Sequence, residues 1–135
     1  MSGDGIVYWK KLKGIICLVV IVLTLVSCTA SALAAPHLEW CTTAVYYDGG
    51  HLIIKGYFYN SGTRIIDHVN WLNLKVYFRQ YDSDWWQAAG GSWYDFNVYL
   101  YPGDSSYYTL RIINPPYYPF NYWKVDGSVN YHYTD

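Results

Sequence analysis

Residues 52–78 read LIIKGYFYNSGTRIIDHVNWLNLKVYF, and their pattern decides the fold class. From Leu52, side chains alternate Leu52, Ile54, Gly56, Phe58 against Ile53, Lys55, Tyr57, Tyr59. From Leu72 they alternate Leu72, Leu74, Val76, Phe78 against Asn73, Lys75, Tyr77, Arg79. A period of two with one aliphatic face predicts strands packed on a core from one side. The polar Asn60-Ser61-Gly62 between them is a turn signal. The register near Val69 to Trp71 is irregular, and a bulge there would let both Trp71 and Leu72 reach the core.

Working outward, His37 to Tyr47 is a first strand, ended by Asp48-Gly49-Gly50. Asp82-Ser83-Asp84 ends the strand begun at Ile65, and Trp85 to Ala89 is a short strand that Gly90-Gly91 breaks. Trp93 to Tyr101 alternates again, with Tyr94, Phe96, Val98 and Leu100 on the predicted inner face, before the turn Pro102-Gly103-Asp104. Tyr107 to Ile113 follows and stops at Asn114-Pro115-Pro116, because proline donates no ladder hydrogen bond. After the aromatic loop Tyr117 to Tyr122, a last strand alternates from Trp123 to Thr134. About seven short strands and no amphipathic helix predict an all-β domain, a single antiparallel immunoglobulin-like β-sandwich.

The composition agrees. The chain holds 135 residues with 17 Tyr, 7 Trp and 4 Phe, of which only Tyr8 and Trp9 precede Ala35. Aromatics favour pleated, half-buried surfaces. Residues 35–135 therefore form one domain, with six cationic and nine carboxylate side chains, a net charge of −3. With no basic stripe, no nucleic-acid partner is expected.

Ahead of the domain lies a hydrophobic signal segment. Lys10, Lys11 and Lys13 precede the apolar run Ile15 to Val26, then the small residues SCTASALAA. Ala32-Leu33-Ala34 predicts a signal peptide over 1–34, cleaved between Ala34 and Ala35. Leu25-Val26-Ser27-Cys28 resembles a bacterial lipobox, with a signal over 1–27 and lipidation at Cys28. Ile15 to Ala35 also approaches the ~20 residues that span a bilayer. All three readings place the domain outside the cytoplasm, secreted or at the cell surface, touching membrane only through this segment. Cys17 and Cys28 lie within it, so the domain keeps Cys41 alone, read as a small buried side chain without an internal bridge; a bridge between molecules is the alternative.

Three elements in order resemble bacterial envelope domains of the FxLYD and SLAP types: Gly56-Tyr57-Phe58-Tyr59-Asn60; Leu72 to Phe78 followed by Tyr81-Asp82; and Leu100-Tyr101-Pro102-Gly103-Asp104-Ser105. The resemblance covers roughly residues 52–113. It implies an immunoglobulin-like fold on an exported protein, usually without catalytic residues of its own. The tyrosine and tryptophan load and the long Trp85 to Trp93 segment depart from that pattern.

No catalytic or metal-binding motif stands out, and no cofactor is expected. His37, His51, His68 and His132 lack paired-ligand spacing. Asp67 and His68, as strand neighbours, point to opposite faces. The serines lack a GxSxG elbow, and glycoside cleavage would need Asp82 or Asp84 to face Asp95 or Asp104. A hydrolase should instead show two facing carboxylates or a Ser-His pair in a cleft. Asp82-x-Asp84 is read as turn chemistry rather than a calcium loop. The surplus is aromatic. Alternation places Tyr57, Tyr59, Tyr77, Trp93, Tyr99, Tyr101 and Tyr107 outside, with at least one exposed ring in each of the pairs Trp85-Trp86 and Tyr117-Tyr118. Such a surface suits an envelope protein or a second copy of the chain, since Tyr, Trp and Arg anchor interfaces. A polysaccharide stacked on Trp85, Trp86 and Trp93 is the alternative.

Overall fold

The computed structural model describes residues 35–134. Among them are six strands and no helix: β1 Leu38–Asp48, β2 His51–Asn60, β3 Ile66–Arg79, β4 Trp86–Phe96, β5 Ser105–Ile112 and β6 Tyr122–Tyr133. They form two antiparallel sheets, β1-β2-β5 and β4-β3-β6, which face each other across one core. The chain has one strand fewer than the alternation suggests. Trp85 to Ala89 and Trp93 to Tyr101 are not separate strands, because Gly90 and Gly91 stay extended and pair with Lys75 and Leu74. The readings at Cys28 and Ala34 fall outside the described residues. Ala35 is exposed, and its carbonyl accepts from Thr63 N at 3.0 Å.

The opening stretch folds as β2 and β3, the middle strands of the two sheets, so it supplies most of the core. Leu52, Ile54, Phe58, Leu72, Leu74, Val76 and Phe78 all face inward and are buried. Gly49 and Gly50 both take positive φ, which an Asp-Gly-Gly hairpin between β1 and β2 requires. Trp40 on β1 fills the space beside two glycines, one in each sheet. A Cβ at Gly56 would meet the Trp40 ring at 2.5 Å, and one at Gly127 would come within 3.9 Å of it.

Three outward positions of the first sheet depart from one-sided alternation. Cys41 and Ile53 are nearly fully buried, and Tyr57 makes a third buried position, yet all three stand outside the main core cluster. Cys41 is disulfide-bonded, which corrects the reading of an unbridged thiol.

Bulges and one left-handed residue adjust the alternation. Thr43 is the extra residue of β1, between Thr42 and Ala44. The expected irregularity in β3 is present, with Asn70 unmatched against β6. It resets the inner face from Val69 to Leu72, but Trp71 stays half-buried on the outside. At the same level of β4, Asp95 adopts φ 58°. That left-handed residue shifts the phase, so Trp93 and Phe96 both turn inward. Tyr94, expected inside, is 65 % exposed instead.

An aromatic plug closes one end of the sandwich. Phe120, from the Pro-rich loop, stacks on Phe78 at 4.0 Å with planes 14° apart. Tyr47 leans on Phe78 and Tyr117, and its hydroxyl donates to Pro116 O and accepts from Tyr118 N. At the opposite end, buried Asn60 donates to Arg64 O (2.7 Å) and Leu100 O (2.8 Å), while its Oδ1 accepts from Gly62 N. Its backbone exchanges hydrogen bonds with Gly103 and Asp104. One side chain thus ties the β2–β3 turn to the Pro102-Gly103 turn.

Candidate functional site

The expected binding residues do not form one surface. Tyr57 and Tyr59 lie on β2 and Tyr77 on β3, so they belong to opposite outer faces of the molecule. Tyr57 is only 7 % exposed, against expectation. It sits on the middle strand, between Cys41 and Tyr107, and its ring is 4.9 Å from that of Tyr107. Tyr59 is half-buried and Tyr107 exposed. Trp93, expected outside, packs against the core for the phase reason given above. Trp86 also turns inward, edge-on to Phe78 at 6.3 Å. Tyr99 and Tyr101 are exposed, with their rings 5.6 Å apart in the β4–β5 connection. Tyr117 and Tyr118 are exposed as expected. In the Trp85-Trp86 pair, by contrast, both rings are half-buried.

The outer face of β4-β3-β6 brings the largest set of aromatic and charged groups together. Antiparallel pairing sets Asn73 opposite Ser128, Lys75 opposite Asp126, Tyr77 opposite Lys124 and Arg79 opposite Tyr122. Directly opposed residues project side by side from one face. Trp85, just before β4, adds its ring between the two cations. Lys124 Nζ is 5.4 Å from the Tyr77 centroid and 4.9 Å from that of Trp85. The Arg79 guanidinium is 5.5 Å from Trp85 and 4.6 Å from Tyr122. Tyr81, largely exposed, meets the Tyr122 ring edge-on at 5.8 Å. The result is a ladder: Tyr77, Lys124, Trp85, Arg79, Tyr122, Tyr81. Each cation–π contact at such a half-exposed position is worth about 0.5–1 kcal/mol, so the ladder holds its side chains in place rather than stabilising the fold greatly. Arg79 Nε is buried without a hydrogen-bond partner among the described residues, since the guanidinium lies between rings rather than against an acceptor.

Alternation in β3 made Tyr77 legible as an outer residue. Lys124, Trp85 and Tyr122 come to it only through the β3–β6 register and the β3–β4 turn. Next to the ladder is a shallow depression of about 230 Å³, lined by Asn73, Lys75, Tyr77, Asp126, Gly127 and Ser128.

One constellation bears on hydrolysis. His37 Nδ1 lies 2.5 Å from Ser61 Oγ, and Ser61 Oγ donates to Glu39 Oε2 at 3.0 Å. The single hydroxyl proton is committed to Glu39, so His37 must donate to Ser61 rather than accept from it. That is the reverse of what an activating base does. Glu39 contacts the same ring nitrogen at 3.5 Å, not the far one that an orienting acid would hold. Backbone bonds from Ser61 and Gly62 N to His37 O mark the cluster as a clasp between the start of β1 and the β2–β3 turn. Asp67 and His68 do not pair: Asp67 bonds His132 at 2.7 Å, and His68 meets Asp95 at 3.3 Å. Asp104 accepts from Tyr101 N within its turn. Among the described residues no three His, Cys, Asp or Glu side chains are grouped to hold a metal ion.

The chain matches no protein-family model and no curated protein. Two solved structures are similar to it at a distance. The trimeric lipoprotein SadB of Salmonella enterica aligns over 88 % of this chain and 75 % of that one, at 11 % identity and a TM-score of 0.45. Beta-glucosidase 3B from Thermotoga neapolitana, in complex with alpha-D-glucose, aligns over 57 % of this chain but 10 % of that one, at 22 % identity and a TM-score of 0.33. At those TM-scores neither likeness bears on what this chain does.

Proposed function

We propose that this chain is an exported, envelope-associated domain that works by binding, without catalysis, through the outer face of β4-β3-β6. The supporting observation is the ladder of Tyr77, Lys124, Trp85, Arg79, Tyr122 and Tyr81, a run of rings and cations held in register on one face. Aromatic and arginine side chains that are already ordered lose little entropy on binding, which is why they dominate interface energetics. The strand order places β1, β2 and β5 in one sheet and β4, β3 and β6 in the other. We read these six strands as an immunoglobulin-like sandwich. The charged, apolar and small-residue segments ahead of Ala35 supply export, by a cleaved signal, a lipid on Cys28 or a retained anchor. The partner is then a component of the envelope or a second copy of the chain.

Photo-crosslinking tests the face. A photoreactive phenylalanine analogue at Gln87, which pairs with Tyr77, should trap one discrete adduct in cells that export the chain. Trp85→Ala should lower its yield about tenfold, as loss of an interface anchor does. The same analogue at Thr109, on the opposite sheet, should trap little. Adducts from Thr109 alone, or a yield indifferent to Trp85, would move the binding surface elsewhere.

A further inference from the structure

We infer that the depression between β3 and β6 is a glycan subsite that seats one sugar ring beside Tyr77; the inference rests on reading this face as the binding surface. At about 230 Å³ the depression is smaller than the ~300–1,000 Å³ pockets that enclose drug-sized ligands. It is shallow and lies on an open sheet, so it suits one unit of a longer chain better than a whole small molecule.

The polar groups decide the chemistry. Lys75 and Asp126 are direct cross-strand neighbours of opposite charge. Neither forms an ion pair with the other or with any described residue. Lys75 therefore keeps donors to spare and Asp126 keeps acceptors, while Asn73 and Ser128 beside them both donate and accept. An anionic ligand would be repelled by Asp126 and a cationic one by Lys75. A pair of adjacent hydroxyls answers both, accepting from the ammonium and donating to the carboxylate. That is the hydrogen-bonding character of a sugar, and charge-assisted bonds of this kind are the strong ones.

The apolar side of the ligand is provided for as well. Lys124 lies over the Tyr77 ring at 5.4 Å and orders it, and Tyr77 walls the depression. The C–H face of a sugar ring packs on such an aromatic side chain. On the β4 side Lys75 pairs with Gly90, which has no side chain. The Gln87 amide reaches over that position, its Nε2 3.5 Å from where a Cβ would stand, so a polysaccharide running on across the sheet meets a further hydrogen-bonding group there. A protein partner would ask for a desolvated apolar centre at this spot, and the lining of Asn73, Lys75, Asp126 and Ser128 does not supply one.

Calorimetry on the full-length chain in detergent tests the inference, with cellotriose, maltotriose, xylotriose and chitotriose as probes. At least one should bind with a Kd on the order of 0.1–1 mM. Tyr77→Ala and Asp126→Ala should each weaken it about tenfold, as loss of a central contact does. Tyr107→Ala, on the opposite sheet, should leave it within about twofold, because rim or remote positions contribute little. Lys75→Met keeps the aliphatic stem and replaces either variant that fails to fold. Binding of none of the four, binding that survives both substitutions, or equal loss in Tyr107→Ala would overturn the subsite. A negative panel with the Gln87 crosslink intact would remove the glycan and leave the binding face standing.

Discussion

Asn60 has no exposed surface, and its side chain satisfies three backbone groups: the carbonyls of Arg64 and Leu100 and the amide of Gly62. Truncation removes three hydrogen bonds at ~0.5–1.5 kcal/mol each and empties the space the amide fills, although Gly62 N keeps His37 O and Leu100 O keeps Ile66 N. Asn60→Ala should therefore cost about 3 kcal/mol or more in urea unfolding, and a loss below ~1 kcal/mol would mean that water replaces the amide. The residue was legible as a turn signal closing β2. Its bond to Leu100 was not, because that partner is 40 positions away. Glu39 gives a pH-dependent case. Burial holds its carboxyl above the ordinary value near 4.5, while the Ser61 hydrogen bond and the charge of His37 pull it down less strongly. The folded chain thus binds this proton more tightly than the unfolded chain. The associated stability is complete below the ordinary value and is lost as pH rises through the raised one. Glu39→Gln, which still accepts from Ser61, should melt above the parent at neutral pH, and the difference should vanish below pH 4.5. A lower melting temperature at neutral pH would show that the Ser61 bond to a charged carboxylate outweighs burial.

At the scale of the elements, alternation succeeded where a strand runs without interruption and failed across bulges. β2 and β3 keep the predicted inner faces, because both are middle strands with paired neighbours on each side, although Ile53 and Tyr57 on the outer side of β2 are buried as well. β4 does not follow it past Trp93. A left-handed Asp95 reverses its phase, which exposes Tyr94 and turns Trp93 inward. Nothing in a list of residues distinguishes an aspartate at φ 58° from an ordinary outward one. A β-branched side chain tolerates that φ poorly, so Asp95→Val should destabilise the domain by about 1–2 kcal/mol. Asp95→Gly should be close to neutral, losing only the exposed contact with His68. Equal stability of the two variants in chemical denaturation would remove the backbone explanation of the phase shift. Gly90-Gly91 taught the same lesson from the other side. Glycines that read as a break remain in register with Lys75 and Leu74, so the neighbouring strand, not the local sequence, kept β4 whole.

For the molecule as a whole, the two outer faces differ in kind. One carries the aromatic and cationic ladder with its polar depression, and the other carries Tyr57 packed on Tyr107 beside Lys55 and Thr109. The proposed export concerns the entire chain, and intact-mass measurement of the product tests it. We expect a product beginning at Ala35, or one beginning at an acylated Cys28. A full-length mass found only in the cytoplasm would end the envelope reading. The sequence by itself determined the strand content, the inner faces of β2 and β3, the bulge near Asn70 and the turns at Gly49-Gly50 and Pro102-Gly103. Each of these depends on side-chain alternation or on local φ, which neighbouring residues reveal. Only the tertiary structure decided which tyrosines and tryptophans share a surface. That depends on which strands pair and in what register: a one-residue bulge sends a ring to the other side of its sheet, and strand order puts Tyr57 and Tyr77 on opposite sides of the molecule.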